Sequence, residues 1–530
     1  MTAPASTAAA EPALRSRPSF ARVLAAVAVI TVGLYAIVSL VFVFRGRLNA
    51  DEGWYLYAGR LVWRGDLPYR DFAFPQMPLT AYAYGLAQLV KPSLYLGRLT
   101  SFCFAVVAVG LCVRVAWREA GRVAAVAVGV LCVAFPTGIY NLTLTKTYAL
   151  TAVLLAAILF ALTSPARPER AWPLATAAAV GLALTRTTGF PLTVLVVGFC
   201  IVRAPNPATR RRVIGVAVAG VAVLAAFLLP DLAAARYNLF TFHNLLWHGA
   251  GTGSRLDTIL TDRTADWLGD YPGYVALVVV ALGAVAWSKD VRAYLRRQPG
   301  VPLVGIGILA ALAVQLFAGE WAPVEYFSPV VPALLAVSVI VIARAFGLHD
   351  PDHARPAWLG VFAAGVVVLA AITLFHPGVS DYFTSSRDPG SVAAANRVGE
   401  YLHDHTRSGD EVLTMWAQPS GLVSTRDQVP GVTVGPFSYE DLPTAKARNL
   451  HFVNSTLLRG MLRAGRPAAV VITDIDRLVL GFTGTYSSHH ADPRVVLGAL
   501  DAHYHLAHRD VGFGTNGPIG VDVYLRNDRK

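Results

Sequence analysis

The sequence predicts a polytopic α-helical membrane protein that ends in a soluble α/β domain, and three observations predict it. Hydrophobic residues make up 55% of the chain and charged residues only 15%, whereas soluble globular domains carry about 25% charged residues. Apolar runs that reach or approach membrane-crossing length recur from Phe20 to Phe375; a helix needs roughly 20 apolar residues to cross a hydrocarbon core of about 30 Å. Beyond His376 those runs stop and shorter apolar blocks alternate with turn residues, as in a domain with a core of its own.

Residues 1–19 are rich in Ala, Ser and Pro and read as a disordered cytoplasmic N-terminus. Arg15, Arg17 and Arg22 then lead into an apolar run too long for the core of a cleaved signal peptide, so it reads as an uncleaved anchor. Within a transmembrane region of residues 20–376, spans are expected at about 20–43, 94–117, 121–137, 147–163, 171–186, 189–203, 213–231, 272–288, 301–318, 326–344 and 357–375, about 11 in all. One set of connections holds Arg114, Arg118 and Arg122; Arg167 and Arg170; Arg203 and Arg210 to Arg212; Lys289, Arg292, Arg296 and Arg297; and Arg344 and Arg355. Basic connections face the cytoplasm. The other face then receives the first loop at 45–93, the turns near 138–146 and 186–189, the 232–271 loop, 319–325 and the C-terminal domain, 377–530.

In the first loop, Asp51 to Trp63 has apolar residues at helical spacing that Gly65-Asp66-Leu67-Pro68 breaks, and Leu79 to Val90 follows Pro75 and Pro78 as a second amphipathic stretch. Two interfacial helices are expected there. In the C-terminal domain, Val392 to His403 reads as a helix, and Glu411 to Ala417, Ala468 to Thr473 and Val521 to Leu525 read as strands.

Residues 381–530 carry 15 Lys and Arg against 16 Asp and Glu, so the net charge of +12 belongs to the membrane part, where loops meet anionic phospholipid. No compact basic domain is present to take nucleic acid. The four cysteines all lie inside apolar segments and form neither a disulfide framework nor a metal spacing. P-loop, dinucleotide and Gly-x-Ser-x-Gly motifs are absent.

Chemistry concentrates where the chain leaves the first span. Asp51 is either a helix-starting acid or a general base able to take a proton from a hydroxyl. Glu52 points about 100° away and reads as a supporting or capping residue. Tyr55 lies one turn on and can orient Asp51. Arg70, Asp71 and Gln76 stand in Tyr69-Arg70-Asp71-Phe72-Ala73-Phe74-Pro75-Gln76-Met77-Pro78, which is either a cavity wall or an interfacial anchor. Lys146, one of five lysines against forty arginines, and Arg186, in a very short turn between spans, are candidate phosphate ligands. Lys146 can instead snorkel to headgroups. Glu325 and Tyr326 open the tenth span and can line the same cavity. His243 and His248 are spaced too irregularly for a metal site.

Assembled in this way, the chain resembles a GT-C superfamily glycosyltransferase, and it is most similar to bacterial relatives of the protein O-mannosyltransferases and lipid A aminoarabinose transferases. The resemblance rests on the Asp51-Glu52 pair, Tyr69-Arg70-Asp71-Phe72 with Pro75-Gln76-Met77-Pro78-Leu79, the Thr185-Arg186-Thr187-Thr188-Gly189 turn, Tyr326-Phe327-Ser328-Pro329 and the C-terminal domain. It implies an inverting transfer of sugar from a polyprenyl-phosphate carrier, with Asp51 as the base. No cofactor is expected. A divalent cation stays open as an alternative, and Lys146 counts against it, because some relatives carry an acid in that loop.

The residues support that class without the resemblance. Nucleotide sugars are confined to the cytoplasm and the reactive groups face outward, so a lipid-linked sugar is the available donor. Its phosphate leaves as an anion and calls for cations, which Lys146 and Arg186 supply. The expected partners are a polyprenyl-phosphate-linked sugar, a cell-envelope glycan, lipid or protein acceptor, and membrane lipids, at a bacterial plasma membrane. Two rivals remain. A flippase or transporter of lipid-linked saccharide would need charged or Gly/Pro-broken spans leading to the cytoplasm, and few are present. A non-catalytic envelope binding protein would use the C-terminal domain as its working part.

Overall fold

The computed structural model describes residues 20–529 apart from 165–167, 246–270, 319–323, 350–354, 376–381, 385–389, 441, 482–492 and 512–518. The expected disordered N-terminus and most of the 232–271 loop, His248 included, lie outside the described residues.

The first long helix, α1 (Phe20–Arg45), lacks ionised side chains between Arg22 and Arg45 and buries Ala28, Thr31, Tyr35, Ser39 and Phe42, a stripe at helical spacing. That stripe packs on α4 (Leu94–Val133), whose buried face is largely small, with Ala105, Ala108, Cys112, Ala116, Ala120, Ala124 and Ala125. Small side chains let helix backbones approach closely where lipid supplies no hydrophobic drive. Between them lie α2 (Asp51–Arg64) and α3 (Leu79–Gln88), the two short helices expected in the first loop.

The chain continues through α5 (Pro136–Thr143), α6 (Thr147–Leu162), α7 (Pro168–Ala183), α8 (Phe190–Val202), α9 (Pro207–Leu228), α10 (Leu232–Arg236), a π-helical turn at Tyr237–Thr241 and α11 (Phe242–Leu245). There follow α12 (Pro272–Trp287), α13 (Lys289–Arg297), α14 (Gly300–Ala318), a 3₁₀ turn at Val324–Val330, α15 (Val331–Ala345) and α16 (Pro356–Leu374). A helix lies at each of the eleven expected spans, but the structure divides them differently. Among the described residues five helices are long and apolar enough to cross a membrane, and up to seven if each bent pair counts as one span. At 1.5 Å per residue, α4 is about 60 Å long, twice a hydrocarbon core. It therefore covers two expected spans, broken at Gly121 (φ 85°, ψ −179°). The α5–α6 pair bends by 106° and the α12–α13 pair by 95°.

The C-terminal part is an α/β unit. Helix α17 (Val392–His405) and the short α18 (Gln418–Val423) flank a five-stranded sheet of order β2-β1-β3-β5-β4, built from β1 (Glu411–Thr414), β2 (Asp427–Gln428), β3 (Pro467–Thr473), β4 (Tyr504–Val511) and β5 (Gly520–Arg526). β1 runs parallel to β2 and to β3, whereas β5 is antiparallel to β3 and β4. The expected strands are β1, β3 and β5. Every residue of β3 is buried, which matches its unbroken apolar run. One core joins this unit to the membrane part: Leu48, Leu56, Tyr57, Tyr84 and Leu94 pack with Val392, Ala395, Val398 and Val412.

Candidate active site

Asn49 starts the local architecture. Its side-chain oxygen accepts from Asp51 N (3.0 Å) and its own N–H donates to Glu52 Oε1 (3.0 Å), a reciprocal cap that begins α2. Glu52 therefore turns inward, away from any cavity. Both its side chain and that of Arg98 on α4 are fully buried, and they pair through Arg98 Nε to Oε2 (2.8 Å) and Nη2 to Oε1 (2.6 Å). Arg98 also donates to the carbonyls of Gly46 (2.9 Å) and Arg47 (2.6 Å), while Glu52 Oε2 accepts from Thr145 N (3.2 Å). One buried pair thus ties the end of α1, the start of α2, α4 and the residue before Lys146.

Asp51 faces the other way. It does not cap its helix: Oδ1 accepts from Trp54 Nε1 (3.2 Å) and Oδ2 pairs with Lys146 Nζ (2.9 Å). Lys146 sits at the break between α5 and α6 with 4% of its side chain exposed, and its ammonium also lies 2.9 Å from Glu325 Oε1. Burial works against that charge, and the Asp51 and Glu325 carboxylates outweigh burial and hold the pKa well above the usual lysine range. Tyr148 donates to the same Glu325 oxygen (2.7 Å). The two carboxylates are partly open, at 25% and 28% side-chain exposure, and the cation between them is enclosed.

Arg186 completes the cluster. Its guanidinium lies over Tyr326 (5.1 Å) and Tyr148 (5.7 Å), and among the described residues it has no carboxylate partner. It stands at the head of an apolar groove lined by Leu155, Leu182, Leu192, Ile308, Leu312 and Val330. Two polar atoms of that groove, Thr151 Oγ1 and Gln315 Nε2, are buried with no hydrogen-bond partner among the described residues.

Tyr55 is buried and stacks on Trp54 (3.7 Å between centroids), with Phe74 at its edge. The hydrogen bond to Asp51 comes from Trp54, not Tyr55. Burial, then the Asp51 charge, pushes the Tyr55 phenol well above its usual pKa, so it stays protonated. Gln76 is half-buried, and its carbonyl accepts from Tyr69 Oη (2.7 Å). Arg70 and Asp71 pair with each other at the surface (2.7 Å), and Asp71 closes a turn on Leu67 N (2.7 Å). Neither has a hydrogen bond or ion pair to the Asp51 cluster. His243 comes inward: Nε2 donates to the Pro75 carbonyl (2.8 Å), and burial holds the imidazole below its usual pKa.

The overall fold is similar to that of solved structures. ArnT from Cupriavidus metallidurans bound to undecaprenyl phosphate aligns over 95% of this chain and 97% of its own, with 12% identity and a TM-score of 0.58. Its apo state aligns over 94% and 98%, with 14% identity and a TM-score of 0.55. The chain shares the fold of these two ArnT structures. The Archaeoglobus fulgidus oligosaccharyltransferase tethered with an acceptor peptide also aligns, over 95% of this chain and 74% of that one, with 13% identity and a TM-score of 0.47. No family model matches the sequence, and no curated protein matches it.

Within this fold, three contributors are given no role by a reading of the sequence: Arg98, Trp54 and Tyr148. Arg98 had a signal, because a charge four residues into an apolar span is costly and needs a partner. Among the described residues no group of three or more His, Cys, Asp or Glu side chains is placed to hold a metal ion.

Proposed function

We propose that this protein is an inverting glycosyltransferase that moves a sugar from a polyprenyl-phosphate carrier to a hydroxyl of a cell-envelope glycan, lipid or protein at the outer face of a bacterial plasma membrane. One observation carries the reading: a partly exposed carboxylate, Asp51, stands 2.9 Å from an enclosed ammonium and in one cluster with an arginine that lacks a carboxylate partner among the described residues. Asp51 accepts the proton of the acceptor hydroxyl as that oxygen attacks the anomeric carbon. The bond from that carbon to the phosphate oxygen breaks, its electron pair leaves with the phosphate, and attack from the opposite face inverts the configuration.

Negative charge grows on the departing phosphate, so cations fixed beforehand favour the transition state over the ground state. Arg186 is available for that contact and can take two phosphate oxygens at once. Lys146 fixes the orientation of Asp51 and adds positive charge beside it. Glu325, bridged by Lys146 and Tyr148, holds the lysine in place. The apolar groove that Arg186 helps to line suits the first prenyl units. Asp51→Asn tested with a synthetic lipid-linked sugar should lose roughly 10²- to 10⁴-fold in transfer rate, the share a general base supplies. Full transfer by a folded Asp51→Asn protein would remove Asp51 from this role.

A further inference from the structure

The C-terminal α/β unit touches α2 along one stripe. Gly53, Tyr57, Arg60 and Arg64 stand at i, i+4, i+7 and i+11, the spacing of a single helix face. Each meets the segment from α18 to β2. A β-carbon on Gly53 would lie 2.4 Å from Pro419 N and 2.7 Å from the Gln418 carbonyl carbon, so backbone rests on backbone with no room for a methyl group. Tyr57 Oη accepts from Gln428 N (2.9 Å). Arg60 donates to the carbonyls of Thr425 (2.8 Å) and Arg426 (3.2 Å), and both Arg60 (3.2 Å) and Arg64 (2.6 Å) reach Asp427. Thr425 adopts φ 63°, a conformation that non-glycine residues rarely take, and the Arg60 contact is made at its carbonyl.

The receiving segment is itself fixed. Gln418 donates to the carbonyls of Val432 (3.3 Å) and Thr433 (2.7 Å), and Ser420 to that of Ala395 on α17 (2.9 Å). A second face of α2 is pinned by Leu56 under Gly97, and a third by Gly59 against Gly85 of α3. The stripe facing the α/β unit begins two residues after Asp51, and the α18 contact is made at that first turn.

We infer that the C-terminal unit is a positioning part of the catalytic site: α18 sets the height and rotation of α2, and so places Asp51 against Lys146. Gly53, Tyr57 and Arg60 are positioning residues, and this role rests on the reading of Asp51 as the base. A displacement of about 1 Å in a reacting group can cost about 10²-fold in rate. Moving α2 off α18 also separates Asp51 from Lys146 and leaves the lysine with Glu325 as its one carboxylate partner among the described residues.

The test uses the full-length protein in lipid nanodiscs, as wild type, Gly53→Ala, Tyr57→Phe and Arg60→Lys. Two quantities are read: kcat and KM with a synthetic polyprenyl-phosphate sugar, and the rate at which an amine-modifying reagent labels Lys146, followed by mass spectrometry. Gly53→Ala is expected to lower kcat about 10²-fold, to leave KM for the lipid donor within about threefold, and to speed Lys146 labelling several-fold. Tyr57→Phe and Arg60→Lys should move both readouts in the same direction by less. A folded Gly53→Ala protein with wild-type kcat and labelling rate overturns the inference, even if its melting temperature falls. If Gly53→Ala does not fold, Tyr57→Phe and Arg60→Lys decide by the same readouts. If the wild type transfers no sugar, the functional reading fails, and Lys146 labelling alone still decides whether α18 places α2.

Discussion

Glu52 and Arg98 show how a membrane-embedded site tolerates full burial of two charges. Each is 0% exposed, and the pair joins three helices and the Lys146 turn. Desolvating such ions costs several kcal/mol each, so removing one partner leaves the other uncompensated. Arg98→Met should therefore destabilise the fold by about 3–5 kcal/mol, seen as a lower denaturation midpoint, with fast hydrogen exchange at the start of α2. Asp51, Lys146, Arg186 and Glu325 were legible in the sequence because each stands at the edge of an apolar run, where a charge is conspicuous. Arg98 was not, because its partner is 46 positions away and its four carbonyl contacts exist only once α1 has docked. Arg70 and Asp71 look equally conspicuous in the sequence, but a neighbouring pair can satisfy itself locally, and this one does.

At the scale of elements, hydropathy finds helices well and breaks less well. The window that registers apolarity does not register a backbone angle. Gly121 is the clearest case. With φ 85° and ψ −179° it lies in a region that only glycine enters freely, and it kinks a helix of two bilayer lengths. An added β-carbon would meet the carbonyl oxygens of Leu348 and His349 at 3.4 and 3.6 Å and the His349 Cα at 3.7 Å, ordinary contacts, so the cost of a side chain there is conformational and not steric crowding. Gly121→Ala should destabilise by about 1–3 kcal/mol, whereas Gly110→Ala, helical and with open space around it, should be neutral or slightly stabilising. Thermal unfolding of the two variants in the same detergent separates them. The strand β4 was illegible for a different reason. It is an edge strand in which Arg509 pairs with Asp522 of β5, Asp510 pairs with Arg397 of α17 and His508 stacks on Tyr401, so its composition does not read as buried sheet. The 106° bend between α5 and α6 was legible only as a polar Thr143 to Lys146 turn, yet that bend is what delivers Lys146 to Asp51.

At the scale of the whole molecule, the sequence separates a basic membrane part from a nearly neutral C-terminal unit, and folding joins them again through one shared core and the α2 stripe. The α/β unit must hold its shape without disulfides, and one buried acid organises the end of its sheet that faces α2. Asp476 is fully buried; it accepts from Trp416 N after β1 (2.9 Å) and from Thr473 N (2.9 Å) and Oγ1 (2.8 Å) at the end of β3. Burial pushes its carboxyl up to about 6, even though those hydrogen bonds favour the charged form. The unfolded chain releases the same proton near pH 4. Because the folded value is the higher one, the stabilising contribution of this group is fully present below about pH 4 and is lost as pH rises through about 6. The difference across that window is on the order of 3 kcal/mol. Asp476→Asn keeps an acceptor and a similar shape but cannot titrate. The excess stability of wild type over Asp476→Asn should therefore be largest near pH 4 and decline toward pH 7, read from denaturation midpoints of the full-length proteins at each pH. A difference that is flat with pH would mean that Asp476 stays charged in the fold, held by its three donors. Since Trp416 and Gln418 link that carboxylate to α18 and the Gly53 contact, the same window should report on how firmly the site is held.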